Sequence, residues 1–123
     1  MISNYVKKRL IASPLRKQYS REQIADLIYI TVFKTVLSME DIRLILRLQR
    51  EAWDTQAAYE YFCAALEDML SCIAEGKSIP EAPEGEGAEK ILFYNTIVAV
   101  AHTICLRKQF AALQQEGAEQ KAD

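Results

Sequence analysis

Apolar residues recur every three to four positions along most of this chain, which is the spacing of one face of an α-helix. Between residues 21 and 37 this spacing links the aliphatic residues Ile24, Leu27, Ile28, Val32 and Val36. Ser20 stands just before this segment and Gln23 follows it by three positions, the pattern of a capping box at a helix start. The pattern predicts a helix from about Arg21 to Leu37 with the aliphatic stripe facing the core.

Two more helices are predicted by capping residues that precede helical spacing. Ser38 is followed by Glu40 and Asp41, acids that the positive end of a helix dipole favours, and the helix is expected to continue to about Arg50. The side chains expected to face inward are Ile42, Ile45 and Leu46, with Arg43, Arg47 and Arg50 forming a solvated face. A cap at Asp54 or Thr55 begins a third helix, whose buried positions are Ala58, Phe62, Ala65, Met69 and Ile73. Gly76 is expected to end it.

A last helix is predicted from about Gly87 to Gly117, and it contains the most apolar run of the chain, residues 91–106. This run is shorter than the roughly 20 residues of a membrane span, so it predicts a buried helix and no membrane anchor. Residues 76–88 are rich in Pro, Gly and Glu and predict a mobile connection. Residues 118–123 are expected to form a disordered tail. The predicted fold is therefore all-α, a bundle of long antiparallel helices.

Charge is distributed unevenly between the two ends of the chain. Residues 1–21 carry six basic side chains and no acid, whereas the rest holds the other 9 bases and all 17 acids, a charge of −8. A basic end on an acidic body predicts an anionic partner for that end. The alternative is a charged terminus that serves only solubility.

Candidate catalytic and metal-binding chemistry is sparse. The three cysteines, Cys63, Cys72 and Cys105, are widely spaced, which predicts free structural thiols in a reducing cytosol, without a metal. His102 lies in an apolar helix and is expected in the core or an interface. The sequence thus predicts no enzyme and no cofactor. Eight aromatic residues are expected to fill the core or, alternatively, to line a pocket for a small-molecule effector: Tyr29, Phe33, Trp53, Tyr59, Tyr61, Phe62, Phe93 and Tyr94.

The order of motifs in residues 2–46 resembles the winged helix-turn-helix of MerR-type regulators. Tyr5 with Leu10-Ile11 matches the end of the recognition helix, Pro14 with Lys17-Gln18-Tyr19 matches the wing, and residues 38–42 match the Ser-acid start of a later helix. Arg9 departs from the Gly usual in MerR proteins, and Ser3 and Lys17 each replace an Arg. The runs "YSREQIADL" and "EDI" resemble still more closely an uncharacterised bacterial family, domain of unknown function 1836.

This resemblance implies a transcriptional regulator that binds DNA as a homodimer. Residues 1–50 would be a partial DNA-binding region that lacks the first helix, as expected of a fragment of a longer protein, and residues 51–117 would supply the dimer interface. The residues implied to contact DNA are Asn4, Tyr5, Lys7, Lys8, Arg9, Arg16, Lys17, Tyr19 and Arg21. The alternative is a helical interaction module that does not bind DNA.

The predicted dimer is expected to use the last helix. Its apolar stripe consists of Ile91, Tyr94, Val98, Ala101 and Cys105, and neighbouring aliphatic residues widen it. A helix that is apolar nearly all round exceeds what the core of one small subunit covers, so a second copy is expected to cover the remainder.

Overall fold

The computed structural model describes residues 19–82 and 85–122, with side chains to residue 117. Four helices make up this part of the chain: α1 (Arg21–Phe33), α2 (Met39–Ala52), α3 (Thr55–Ala74) and α4 (Ala88–Ala122). The described residues contain no strand, so the all-α prediction is confirmed.

The predicted helix starts are confirmed by hydrogen bonds at three N-caps. The Gln23 amide N–H donates to Ser20 Oγ at 3.1 Å, and the Ser20 N–H donates to Gln23 Oε1 at 2.9 Å, which completes the capping box. Ser38 and Asp54 each accept the N–H of the third residue that follows, both at 3.2 Å. Each cap satisfies a backbone donor that the helix itself leaves unpaired, so each helix starts at a defined residue.

The first helix differs from its prediction in both its end and its buried face. It ends at Phe33, and a turn follows in which the Leu37 N–H donates to the Phe33 carbonyl at 2.8 Å. Ile24 is 48% exposed, whereas Tyr29 and Phe33, one turn apart, are fully buried. Four residues of the predicted aliphatic stripe, Leu27, Ile28, Val32 and Val36, pack against the core but are only partly buried. The fully buried side chains come from the adjacent aromatic stripe, which packs against aromatic rings of other helices.

The third helix ends as predicted. Gly76 adopts φ 73°, its N–H donates to Ile73 O at 3.1 Å, and the Lys77 N–H donates to Cys72 O at 2.8 Å. These two bonds form a Schellman motif, which satisfies the last helical carbonyls and needs a left-handed residue that glycine supplies without strain.

Part of the connection between α3 and α4 packs against the body, and the predicted mobility of residues 76–88 stays a prediction. Ile79 and Ala82 are partly buried against the core, and the Tyr94 hydroxyl donates a hydrogen bond to the Pro80 carbonyl. The last helix continues past the predicted end near Gly117 to Ala122.

Aromatic rings from all but the second helix meet at the centre of the bundle. Tyr29 stacks on Phe33 with ring centroids 5.5 Å apart, and Phe62 and Phe93 meet the Tyr29 ring edge to face at 5.2 and 5.8 Å. The second helix adds the buried Ile42, Ile45 and Leu46, as predicted. Helix α4 packs mainly against α3 and α2, so it is the central element of the fold.

Candidate nucleic-acid interface and neighbouring surfaces

Two of the nine predicted DNA-contacting residues lie in the described part of the chain. Tyr19 is half-buried and Arg21 is exposed in the first turn of α1. The predictions for Asn4, Tyr5, Lys7, Lys8, Arg9, Arg16 and Lys17 fall outside the described residues. The basic segment therefore leads directly into a helix with a complete N-terminal cap.

An ion pair between helices, absent from the sequence predictions, fixes α1 against α2. Arg50 Nη2 lies 2.6 Å from Asp26 Oδ2; the Asp26 side chain is 9% exposed and that of Arg50 is 46% exposed. Burial raises the pKa of the Asp26 carboxyl above its usual value, and this desolvation outweighs the opposing effect of the Arg50 guanidinium. The pair thus joins a buried acid to a base that water still reaches.

Asp26 of this pair and two other buried polar side chains keep atoms without a hydrogen-bond partner within the described residues. These atoms are Asp26 Oδ1, the Tyr29 hydroxyl and both amide atoms of Gln49. Burial also raises the pKa of Tyr29, and the nearby Asp26 carboxylate adds to this effect. Such groups cost stability when they are unpaired, and helical periodicity gives no signal for them because it marks apolar positions as the buried ones.

A groove of about 540 Å³ lies between the first turns of α1 and α3. Its lining includes the apolar residues Ile24 and Ile28, the aromatic Tyr59, and the acidic residues Glu22 and Glu60. Arg21, the last residue of the basic segment, also lines it. Ile24, which helical spacing assigned to the core, is exposed because it lines this groove.

Four of the eight aromatic residues considered as a possible pocket lining fill the interior instead, whereas Tyr59 lines the groove between α1 and α3. Tyr29, Phe33, Phe62 and Phe93 are each no more than 3% exposed. Trp53 lies at the edge of this cluster, 5.3 Å from the Phe93 ring centroid, and Lys90 Nζ lies 4.8 Å from the Trp53 ring centroid. Tyr29, Phe33, Phe62 and Phe93 are therefore core residues, which was the first of the two alternatives for the aromatic residues.

The candidate ligand residues are dispersed. His102 is exposed on α4, so of its two predicted places the core is wrong and the interface stays a prediction. Cys63 is exposed, Cys72 and Cys105 are half-buried, and all three are free thiols. Within the described residues, no group of three His, Cys, Asp or Glu side chains could hold a metal ion.

Helix α4 is longer than its uninterrupted apolar run indicated. The segment Ala88–Gly117 is long enough to cross a membrane, and an 18-residue window within it has a mean hydropathy of 1.2, with 33% of that window buried in the protein. Core helices of soluble proteins share these properties, so composition alone does not distinguish the two.

The stripe of α4 predicted to form a dimer faces the subunit's own core. Tyr94 and Ala101 are buried, and Val98 and Cys105 are half-buried. The large apolar side chains that remain exposed on α4 are Ile91, Leu92, Leu106, Phe110 and Leu113. The subunit therefore covers most of the predicted stripe and leaves a different face of this helix uncovered.

Comparison with known proteins supports one relationship. The sequence profile of a domain of unknown function (DUF1836) matches residues 1–62, which comprise the basic segment, α1, α2 and the start of α3. No curated protein and no solved structure gives a significant match. Since the match spans half of the 123 residues, the chain belongs to the family of domain of unknown function DUF1836.

Proposed function

We propose that the protein is a transcriptional regulator of the cytoplasm that binds DNA as a dimer through a MerR-like winged helix-turn-helix to which residues 1–50 contribute. The observation that carries this proposal is the segregation of charge. Six basic side chains precede Glu22, the first acid of the chain, and the remainder carries −8. Such a basic segment suits phosphates, and the acidic body limits contact with DNA to that segment.

The arrangement of α1 and α2 supports the proposal. The resemblance to MerR-type proteins implies that the wing is followed by one helix and then by a second helix that begins with Ser and acidic residues. Here α1 begins after Ser20, and α2 begins after Ser38 with Glu40 and Asp41 in its first turn. The Asp26–Arg50 ion pair joins these helices. The basic segment is thus attached to a packed scaffold, as a DNA-reading element requires for orientation.

The proposed contacts fall into two classes. Asn4, Tyr5, Lys7, Lys8 and Arg9 would lie at the major groove, and Arg16, Lys17, Tyr19 and Arg21 would contact phosphates. An amide such as that of Asn4 can pair with a base edge, whereas Lys17 supplies a point charge without base information. The two classes therefore differ in how a substitution affects sequence preference.

The test is a salt titration of binding to fluorescent duplexes, with the full chain and its Lys17→Ala, Asn4→Ala and Lys108→Ala variants. Lys17→Ala should weaken binding to all sequences alike and reduce the slope of log K against log salt by about one unit. Asn4→Ala should relax preference at one base pair, at a cost of ~1 to 3 kcal/mol. Lys108 is an exposed residue of α4 and does not belong to the basic segment. Its variant should therefore bind DNA with the affinity and salt dependence of the wild type.

One result of this titration would contradict the proposed DNA binding. If the full chain binds duplex no more tightly than an acidic protein of similar size at low salt, the regulator proposal is wrong. A helical protein-interaction module would then be the better description, and the exposed Leu106, Phe110 and Leu113 of α4 favour that second candidate.

A further inference from the structure

A small cavity of about 130 Å³ lies where the end of α2 meets α3 and the start of α4. Its aromatic lining consists of Trp53 at the end of α2, Tyr61 of α3 and Tyr94 of α4. The ring centroids of Trp53 and Tyr61 are 5.4 Å apart, and the ring planes are inclined at 37°, so these two rings form adjoining walls. The hydrogen bond from the Tyr94 hydroxyl to the Pro80 carbonyl holds the third ring in place. The fold therefore fixes all three rings around one cavity.

A carboxylate and an ammonium group line the same cavity. Lys90 Nζ lies 4.8 Å from the Trp53 ring centroid and 3.4 Å from Glu86 Oε2. Burial raises the pKa of Tyr61, and the nearby Tyr94 and Glu86 add to this effect. A cation within about 6 Å of a ring centroid is attracted by the negative face of the ring, and a carboxylate beside it adds to the attraction. The cavity thus has the electrostatics of a cation site. We refer to Trp53, Tyr61, Tyr94 and Glu86 as the aromatic cage.

The position of Lys90 also indicates that the aromatic cage favours a cation. Lys90 is the third residue of α4, and the positive end of a helix dipole disfavours a cation in the first turn. Trp53 and Glu86 supply the attraction that offsets this repulsion. The side chains of Lys90 and Glu86 are 34% and 40% exposed, and ion pairs that water reaches in this way contribute little to stability. The Lys90 side chain can therefore leave the Trp53 ring at small cost.

We propose that the aromatic cage binds the quaternary ammonium group of a small solute such as choline, which displaces Lys90 from the Trp53 ring. A primary ammonium group is strongly hydrated and must give up hydrogen bonds with water to enter the cavity. A quaternary ammonium group has no N–H, and its methyl groups pack directly on aromatic faces. The volume of about 130 Å³ equals that of about four water molecules at roughly 30 Å³ each, which suits a trimethylammonium group.

The proposed site does not depend on DNA binding, so its test uses the full chain without DNA. Trp53 is the only tryptophan of the sequence, and its fluorescence therefore reports on the aromatic cage alone. Choline chloride should produce a saturable change in this emission, with a dissociation constant on the order of 1 mM, as expected of so small a ligand. Sodium chloride at equal concentrations should produce no such change, and neither should the neutral analogue of choline in which carbon replaces nitrogen. An equal response to either control would overturn the proposal.

Substitutions around the aromatic cage should change choline affinity in opposite directions. Glu86→Gln and Tyr61→Leu should each weaken binding by ~10-fold, because each removes an attraction for the cation. Lys90→Gln should tighten binding at least ~3-fold, because it removes the resident cation and its repulsion. Damage to the fold would not tighten binding, so this variant distinguishes displacement from misfolding. The matched control is Glu75→Gln, which breaks another exposed pair, with Lys77 at 2.8 Å, outside the aromatic cage and should leave affinity unchanged.

Three results would overturn the proposal. The first is a choline affinity that stays the same in both Glu86→Gln and Tyr61→Leu, and the second is a Lys90→Gln variant that binds choline no more tightly than the wild type. The third concerns the source of the group, since phosphatidylcholine presents the same trimethylammonium group at a membrane surface. A chain that pellets with phosphatidylcholine vesicles but gives no response to free choline would contradict the assignment to a small solute.

Discussion

Replacing Arg50 by Ala should destabilise the protein by leaving a buried carboxylate without its cation. Loss of one partner of a fully buried ion pair costs roughly 3 to 5 kcal/mol. Here the Asp26 side chain is 9% exposed but that of Arg50 is 46% exposed, so water can enter the space that the guanidinium leaves. We therefore expect a smaller loss of about 2 kcal/mol in the free energy of unfolding at neutral pH.

The pH dependence of this loss identifies its origin. Burial raises the pKa of Asp26, so its carboxyl binds a proton more readily in the native state than in the unfolded chain. As the pH rises through the raised pKa, the carboxyl ionises and the free energy of unfolding falls. Removing Arg50 removes an interaction that lowers this pKa and should raise it further. The destabilisation should thus be greatest at neutral pH and shrink as the pH falls through the raised pKa of Asp26, where the carboxyl becomes neutral.

The assay is urea unfolding followed by circular dichroism across this pH range. Arg47→Ala, an exposed arginine on the same helix, is the control and should change stability by less than ~0.5 kcal/mol. The double variant Asp26→Asn/Arg50→Ala should be more stable than Arg50→Ala, since it lacks the buried charge. A loss that is independent of pH, or equal in the Arg47 and Arg50 variants, would refute the reasoning.

Three other substitutions test local features by the same unfolding assay. Tyr29→Phe should leave stability unchanged or raise it by up to ~1 kcal/mol, because it removes a buried hydroxyl that lacks a partner; a clear loss would mean that the hydroxyl is bonded. Gly76→Ala should lower the free energy of unfolding by ~1 kcal/mol because Ala is strained at φ 73°. No atom lies within 4 Å of the added Cβ, so no clash contributes; an unchanged urea midpoint would contradict this. Ser20→Ala should cost ~1 kcal/mol, whereas Ser20→Asp should retain the cap; equal losses in both would argue against capping.

Sequence alone determined the features that depend on a few neighbouring residues. The caps at Ser20, Ser38 and Asp54 and the glycine end at Gly76 were all predicted correctly, because each rests on hydrogen bonds within one turn of chain. The inward face of α2 was also predictable, since its apolar and charged positions separate cleanly on a helix. The basic segment was evident from charge alone, although seven of its nine proposed contacts fall outside the described residues.

Only the tertiary structure decided which of two apolar faces is buried. Helix α1 carries an aliphatic stripe and an aromatic one, and the aromatic stripe is buried because Phe62 and Phe93 of other helices are placed to meet it. The same placement buries Asp26 and Gln49, which no periodicity indicated. Likewise, α4 turns Phe93 and Ile97 inward and leaves Leu106, Phe110 and Leu113 exposed. Burial is a property of the space between elements, so a chain that is apolar on several faces does not reveal in advance which face the fold will cover.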